Sequence, residues 1–149
     1  MSLITKKEKF LVIGSNSFSG SHFVNGLLKR GFKVWGTSRS KQPKKEFLPY
    51  FWNDKNDYKF KNYCENFIFN SFDLNKDMKG LINLIDDVEP EYIVNFAAQG
   101  MVAQSWENPV HWYKTNIISQ VTLHDELRKR KFLKKYVHVT TPEVYGSTD

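Results

Sequence analysis

Short apolar runs alternate along this chain with longer segments in which apolar residues recur at helical spacing. The short runs are typical of buried strands and lie at residues 10–13, 32–36, 67–70, 92–96 and 136–140. Apolar stripes with the period of a helix predict helices over residues 18–30, 76–88 and 109–130. Such alternation is typical of a parallel sheet covered by helices on both faces. We therefore predict an α/β fold with a doubly wound parallel sheet of about five strands in the order 3-2-1-4-5.

Residue types near the ends of these elements support their boundaries. Gly31 follows the first predicted helix, where glycine commonly ends a helix, and Pro109 suits the first position of the third. We predict that one apolar stripe of the third helix faces the sheet, formed by Val110, Tyr113, Ile117, Val121, His124 and Leu127. Residues 41–66 follow neither period and mix six lysines with seven aromatic residues. We interpret them as a long surface connection with one short helix, whose aromatic side chains close a local core while the lysines face water.

Composition and charge limit the kind of protein this is. A chain of 149 residues, 40% hydrophobic and 26% charged, suits one globular domain. The net charge of +6 favours anionic partners, which include nucleotides, nucleic acid and acidic surfaces. One cysteine, Cys64, excludes an internal disulfide, and the four histidines lack metal-ligand spacing, so we expect no metal site. The first apolar run is too short for a signal sequence or a membrane span, so we expect a cytoplasmic protein without membrane contact.

The junction of the first strand and the first helix has the spacing of a phosphate-binding turn. Its sequence over residues 14–20 is Gly-Ser-Asn-Ser-Phe-Ser-Gly. Gly14 and Gly20 permit a tight turn and close packing of the helix, whose N-terminus then points N–H groups at a pyrophosphate. Ser17 stands where glycine is usual, so its Cβ is expected to crowd a diphosphate slightly, and its hydroxyl can donate to it. An ordinary strand-to-helix turn also explains two glycines, but the position in the first β-α-β unit favours a dinucleotide.

The residues after the second strand favour NADP over NAD. An acidic residue at this position would accept the ribose hydroxyls of NAD, but the sequence from residue 37 is Thr-Ser-Arg-Ser-Lys. Ser38 and Arg39 offer a hydroxyl and planar bidentate donors for a 2′-phosphate. The alternative is that Arg39 and Lys41 only begin the solvated basic loop. Asp73, after the third strand, either accepts from the adenine amino group or caps the following helix.

Several later motifs resemble the extended short-chain dehydrogenases/reductases. They are Glu-Pro-Glu-Tyr-Ile-Val-Asn-Phe-Ala-Ala-Gln at 89–99, Ser-Trp-Glu-Asn-Pro at 105–109, Thr-Asn at 115–116 and Thr-Thr-Pro-Glu-Val-Tyr-Gly at 140–146. Within that class the chain looks most like the nucleotide-sugar 4,6-dehydratases acting on GDP-mannose or dTDP-glucose. The resemblance implies a Rossmann-like NAD(P)-binding domain over 1–149, a nucleotide-diphosphate sugar as substrate and a homodimer formed through helix 109–130. It implies coenzyme contacts from Gly14, Asn16, Ser17, Phe18, Gly20, Ser38, Arg39, Asp73, Leu74, Phe96, Ala97, Ala98, Gln99, Asn116 and Thr140.

The resemblance also implies the catalytic roles. Thr141 would hydrogen-bond the sugar 4-hydroxyl, and Glu143 would remove the C5 proton after C4 has been oxidised. Pro142 stands where the relatives carry an acidic aspartate, and proline cannot protonate a departing 6-hydroxyl. A 4-epimerase or a decarboxylase therefore stays open beside the dehydratase.

Two further features bear on whether this chain acts as an enzyme. The Tyr-x-x-x-Lys pair of the family is not found among the 149 residues, so we expect an incomplete, inactive coenzyme-binding portion without the C-terminal sugar-nucleotide domain. An alternative of another class is a non-catalytic nucleotide-binding or interaction module, whose basic loop 41–61 contacts nucleic acid or a protein. Because a local core explains those aromatic residues better, we do not expect nucleic-acid binding.

Overall fold

The computed structural model describes residues 8–52, 65–141 and 145–146. Within them, five strands form one parallel sheet: β1 (Lys9–Ile13), β2 (Lys33–Ser38), β3 (Phe67–Ser71), β4 (Tyr92–Asn95) and β5 (Lys135–His138). Their order is β3-β2-β1-β4-β5, which confirms the predicted fold class and strand order.

Helices cover both faces of this sheet. They are α1 (Phe18–Lys29), α2 (Met78–Val88), the short α3 (Val102–Glu107) and one long helix in three parts. The long helix consists of α4 (Pro109–Tyr113), a π-helical segment (Lys114–Ile118) and α5 (Ser119–Leu127). Gly31, at φ +81°, follows the end of α1, as the sequence predicted. In the part of the chain that the structure describes, no helix is long and apolar enough to cross a membrane.

Alternate side chains of the central strand β1 supply both halves of the core. Leu11 and Ile13 pack with residues of α2 and α5, whereas Val12 packs with residues of α1. All three side chains are at least 98% buried, and burying one such side chain contributes roughly 1.5–3 kcal/mol. The sheet is thereby fixed between two helical layers, and its C-terminal edge is left open for a site.

The connection after β2 is partly a packed layer. It forms two short 3₁₀ turns, Lys45–Phe47 and Pro49–Phe51. Leu48, between the turns, and Tyr50, in the second turn, are buried against α1 and β3. Burial raises the pKa of Tyr50 to about 12, although the hydrogen bond from Gln42 opposes this shift. The local core is thus confirmed for Tyr50, whereas Phe47 and Trp52 are exposed. The rest of the connection, 53–64, lies outside the described residues.

The predicted inward stripe of the long helix is wrong. Four of its apolar side chains are 47 to 64% exposed, His124 is also exposed, and only Leu127 of that stripe is buried. The buried residues of α5 are Ser119, Gln120, Leu123 and Leu127. Helical spacing shows that a helix has an apolar face, but it does not show which face meets the sheet. Here Leu123 and Leu127 pack in the core, whereas Asn116, Ser119 and Gln120 on the inward side hydrogen-bond the loops at the edge of the sheet.

An ion pair joins the end of the long helix to α2. The Nε and Nη2 atoms of Arg130 donate to the two carboxylate oxygens of Asp86 at 2.6 and 2.8 Å. The Arg130 side chain is 12% exposed and also contacts Glu126. The hydrogen bond from Arg130 is the main reason that the pKa of Asp86 is below its ordinary value.

We expect Asp86→Asn to lower the free energy of unfolding by about 0.5–1 kcal/mol at pH 7, a small effect because the carboxylate is half exposed. A carboxyl whose pKa is lowered by folding stabilises the protein above its unfolded pKa and loses this effect as the pH falls. The difference from wild type should therefore shrink as the pH falls below about 4 and vanish below the lowered pKa of the folded carboxyl, as measured by urea unfolding across pH. Asp87→Asn removes the same charge from the next, exposed position and serves as the control. An equal, pH-independent loss in both variants would contradict this account.

Candidate functional site

The turn between β1 and α1 contains two glycines at points of close backbone approach. Gly14 has φ +81°, and a Cβ there would lie 2.8 Å from the Ala97 nitrogen. A Cβ at Gly20 would collide with the carbonyl oxygen of Gly14. Both glycines are therefore required sterically, because the turn, the start of α1 and the chain after β4 touch through their backbones.

Ser17 is the N-cap of α1. Its Oγ accepts a hydrogen bond from the Gly20 nitrogen at 3.1 Å and donates to the Gly14 carbonyl at 2.7 Å. The hydroxyl proton is thus used within the turn, and its donation to a diphosphate stays a prediction. The N–H groups of Phe18 and Ser19, in the first turn of α1, have no acceptor within the helix by geometry.

Two adjoining cavities lie at the C-terminal edge of the sheet and share the turn and the chain after β4. The first, of about 290 Å³, contains the predicted residues Gly14, Asn16, Ser38, Arg39, Asp73 and Leu74. The second, of about 870 Å³, contains the predicted residues Phe18, Asn116, Thr140 and Thr141. Both are lined by Ser17, Phe96, Ala97, Ala98 and Gln99. Gly20 lies at the base of the turn, and Glu143 lies outside the described residues, so the structure does not place it.

Asn16 connects the turn to the loop after β2. Its Nδ2 donates to the carbonyl oxygens of Ser40 and Lys41 at 3.0 and 3.1 Å. Its Oδ1 is buried and has no hydrogen-bond partner among the described residues. A buried acceptor of this kind in a cavity wall needs a donor, which a bound ligand or water supplies.

A third cavity, of about 490 Å³, continues the first one on the side of Arg39 and Asp73. It adds the cationic side chains of Lys76 and Lys114 and the imidazole of His111. Together with Arg39, Lys76 and Lys114 give the wall of this cavity three positive charges, and Asp73 gives it one negative charge. The arrangement favours an anionic group beside the end of β2.

Asp73 shapes the loop between β3 and α2. Its Oδ1 accepts from the Asn75 nitrogen at 2.8 Å, and its own nitrogen donates to Asp77 at 3.0 Å. The N-cap of α2 is Asp77, so the alternative that Asp73 caps this helix is wrong. Asp73 instead forms a turn and lines the first and third cavities.

The long helix places a polar face against the edge loops. Asn116 accepts from the Gln99 nitrogen at 2.8 Å and donates to the Gln99 carbonyl at 2.9 Å. Asn75, after β3, donates to Thr115 at 2.8 Å and accepts from Ser119 at 2.7 Å. One helix therefore holds the loops that follow β3 and β4.

Two buried amides next to these loops were not predicted from the sequence. Asn95 is fully buried and Gln120 is 5% exposed, and their side chains hydrogen-bond each other at 2.7 Å. The sequence could have indicated Asn95, because it is a polar residue at the end of an otherwise apolar strand. No sequence feature indicates Gln120, because its position on the inward face depends on how the helix packs.

The end of β5 forms the far wall of the second cavity. His138, Thr140 and Thr141 line it, and Tyr136 lies beneath, accepting from the Nδ2 of Asn95 at 2.9 Å. Burial raises the pKa of Tyr136, while burial and the charge of His124 lower the pKa of His138. No group of three metal-ligating side chains is found within 8–52, 65–141 and 145–146.

The arrangement suits a dinucleotide. The two glycines allow the turn to pack closely on α1 and on the chain after β4, the start of α1 presents free N–H groups, and the cavities extend from Arg39 on one side to Thr141 on the other. A parallel sheet of this order with such a turn after its first strand is typical of Rossmann-like dinucleotide-binding domains.

The chain belongs to the GDP-mannose 4,6-dehydratase family, whose model matches residues 11–149. It is 27% identical to the GDP-mannose 4,6-dehydratase of Vibrio cholerae over 145 residues, covering 94% of this chain and 37% of that enzyme. Its fold is similar to the UDP-glucose 4-epimerase of Thermotoga maritima with UDP-glucose, at 27% identity and TM-score 0.70, covering 89% and 38% of the two chains. It is also similar to the Thermus thermophilus UDP-glucose 4-epimerase in complex with NAD, at 26% identity and TM-score 0.63, covering 82% and 34%. The chain thus spans less than two fifths of the length of each of these relatives.

We expect Gly14→Ala to lower the free energy of unfolding by roughly 1–3 kcal/mol more than Gly31→Ala. Both glycines have φ +81°, so both variants pay the same conformational penalty, but only the Cβ at residue 14 meets other atoms within 4 Å. The measurement is urea unfolding of the two variants. Equal losses of stability would show that the backbone contact with Ala97 does not constrain the turn.

Proposed function

We propose that residues 1–149 form the NAD(P)-binding domain of an enzyme that modifies a nucleotide-diphosphate sugar, with 4,6-dehydration as the leading activity. The observation that carries the proposal is the cavity lined by Gly14 and by Ser17, the N-cap of α1, at the point where the turn packs directly against the chain after β4. The turn and the first N–H groups of α1 would hold the paired phosphates. The single cysteine is consistent with a cytoplasmic location.

The remaining residues of the two cavities suit the other parts of the coenzyme. Arg39 and Asp73 line the first cavity and would hold the adenosine end, with Leu74 beside them. Ala97 and Ala98 have small side chains, so the nicotinamide half can lie close to the backbone after β4. When bound, such a coenzyme accepts a hydride from the sugar and later returns it.

In the dehydratase reaction, Thr141 would donate to the 4-hydroxyl of the sugar, and Glu143 would remove the C5 proton. The structure supports the first role, because Thr141 lines the same cavity as Asn116 and Ala98. A carboxylate suffices for the second role, because a neighbouring ketone makes the C5 proton more acidic.

A 4-epimerase is the second candidate, and Pro142 favours it. Dehydration needs an acid for the departing 6-hydroxyl, and proline cannot supply a proton. Epimerisation breaks no carbon–oxygen bond and needs only the removal of a hydride from C4 and its return to the opposite face. The similarity to epimerases as well as to a dehydratase is consistent with either activity.

We propose NADP as the coenzyme rather than NAD. Arg39 lines two cavities at the end of β2, and Lys76 and Lys114 add positive charge next to it. A 2′-phosphate on the ribose would be neutralised there, whereas NAD gains nothing from these cations. The bound NAD of the Thermus thermophilus relative makes NAD the alternative to be tested.

We expect millimolar NADP to raise the melting temperature of the chain, because a ligand of the native state stabilises it by RT ln(1 + [L]/Kd). In Arg39→Ala, the Kd of NADPH, measured by its fluorescence, should rise roughly tenfold or more through the loss of a charge-assisted hydrogen bond. The Kd of NADH should change less than twofold. Lys29→Ala, an exposed cation at the end of α1, is the control. A chain that responds to neither coenzyme contradicts the proposed function, and equal effects on NADPH and NADH contradict the choice of NADP.

We also propose that the long helix forms a homodimer. Its outward face carries Val110, Tyr113, Ile117, Ile118 and Val121, all 47 to 64% exposed. A continuous apolar stripe over three helical turns is typical of an interaction surface in a soluble protein. A second copy offers the same stripe, so a two-fold axis would pair the two helices.

Ile117→Asp is expected to raise the dimer dissociation constant at least about thirtyfold, because it buries an unpaired carboxylate in an apolar contact. Sedimentation equilibrium of the wild type and the variant measures this change. Asn83→Asp adds the same charge to an exposed position of α2 and should leave assembly unchanged. A wild-type chain that is monomeric at high concentration would rule out this interface.

A further inference from the structure

The chain after β4 is held in place by side chains from two other elements. Residues 96–100 have no regular secondary structure, although Ala97 and Gln99 line both main cavities. The Asn116 side chain accepts a hydrogen bond from the backbone nitrogen of Gln99 and donates one to its carbonyl. At Ala97 two side chains make the corresponding hydrogen bonds: Asn95 accepts from the backbone nitrogen at 2.8 Å, and Gln120 donates to the carbonyl at 3.2 Å.

The hydrogen bonds fix how the two buried amides are oriented. The Asn95 oxygen must face the Ala97 nitrogen, because a backbone N–H can only donate. Its Nδ2 is then free to donate to the Gln120 Oε1 at 2.7 Å and to the Tyr136 hydroxyl at 2.9 Å. The Nε2 of Gln120 consequently faces the carbonyls of Ala97 and Thr115. No other orientation satisfies the whole set.

The position of Ala97 determines the width of the cleft where the two cavities meet. Its nitrogen lies where a Cβ on Gly14 would come within 2.8 Å, so the turn and this residue touch directly. A shift of Ala97 by even part of an ångström therefore changes the space between the phosphate turn and the chain after β4. That space joins the region of Arg39 to the region of Thr141.

We infer that Gln120, acting together with Asn95, is a positioning residue. It sets the distance of the Ala97 backbone from the turn at Gly14 and so aligns the nicotinamide half of the coenzyme. The inference rests on the proposed coenzyme-binding function. Gln120 lines the second cavity and donates to the Ala97 carbonyl in its wall, but it lines neither of the cavities that contain Arg39. Its loss should therefore weaken binding of a whole dinucleotide more than binding of the adenosine part alone.

The test uses Gln120→Glu, which keeps the shape of the side chain but removes both donors facing the carbonyls of Ala97 and Thr115. Binding of NADP⁺ and of adenosine 2′,5′-bisphosphate to the full chain is measured by titration calorimetry. We expect the Kd of NADP⁺ to rise about tenfold, the effect of losing one or two buried hydrogen bonds. The Kd of adenosine 2′,5′-bisphosphate should change less than twofold, because the residues that line the region of Arg39 are untouched.

Two further variants complete the design. Gln120→Met keeps the length of the side chain without a charge, and it should show the same selective loss. Thr122→Val, at an exposed position of the same helix, is the control and should bind both probes like the wild type.

The outcomes separate the possible explanations. Equal weakening of both probes, no change in either, or loss of folding in both Gln120 variants assigns Gln120 a structural role only and overturns the inference. A wild-type chain that binds neither probe overturns the proposed function itself, and this inference with it.

Discussion

The direct backbone contact between Gly14 and Ala97 is the constraint on which the site depends. Because residue 14 has no Cβ and adopts φ +81°, the turn after β1 can lie against the chain after β4. The same turn starts α1, whose N-cap Ser17 accepts a hydrogen bond from the Gly20 nitrogen. The result is one open edge of the sheet at which a positive helix end and a small-residue wall face each other. This geometry suits phosphate groups, and the proposed binding needs no cationic side chain in the turn.

The long helix serves two purposes with two faces. Its inward face is polar over residues 115–120, where Thr115, Asn116, Ser119 and Gln120 hydrogen-bond the loops that follow β3 and β4. Leu123 and Leu127 continue this face into the core. Its outward face is apolar and exposed from Val110 to Val121. The π-helical segment lies where these contacts concentrate, as such segments often do at functional sites.

Charge is distributed unevenly around the site. Arg39, Lys76 and Lys114 line one cavity, whereas the second cavity is lined by uncharged polar and apolar residues and by His138. This division suits a ligand with an anionic end and a neutral, reacting end. The lowered pKa of His138 keeps that imidazole largely uncharged near neutral pH, so it adds little positive charge beside the reacting end.

The sequence by itself determined the sheet, its strand order and the turn at Gly14, because apolar periodicity and glycine spacing are local properties that the chain carries wherever it packs. It also placed Arg39, Asp73 and Thr141 at strand ends, which meet at one edge in any parallel sheet. Only the tertiary structure decided that Val110, Tyr113 and Ile117 face outward, that Asp73 forms a turn while Asp77 caps α2, and that Asn95 and Gln120 hold Ala97. These facts depend on which face of a helix meets the sheet and on hydrogen bonds between distant residues. Amphipathic spacing is identical for either orientation, so no local pattern distinguishes them.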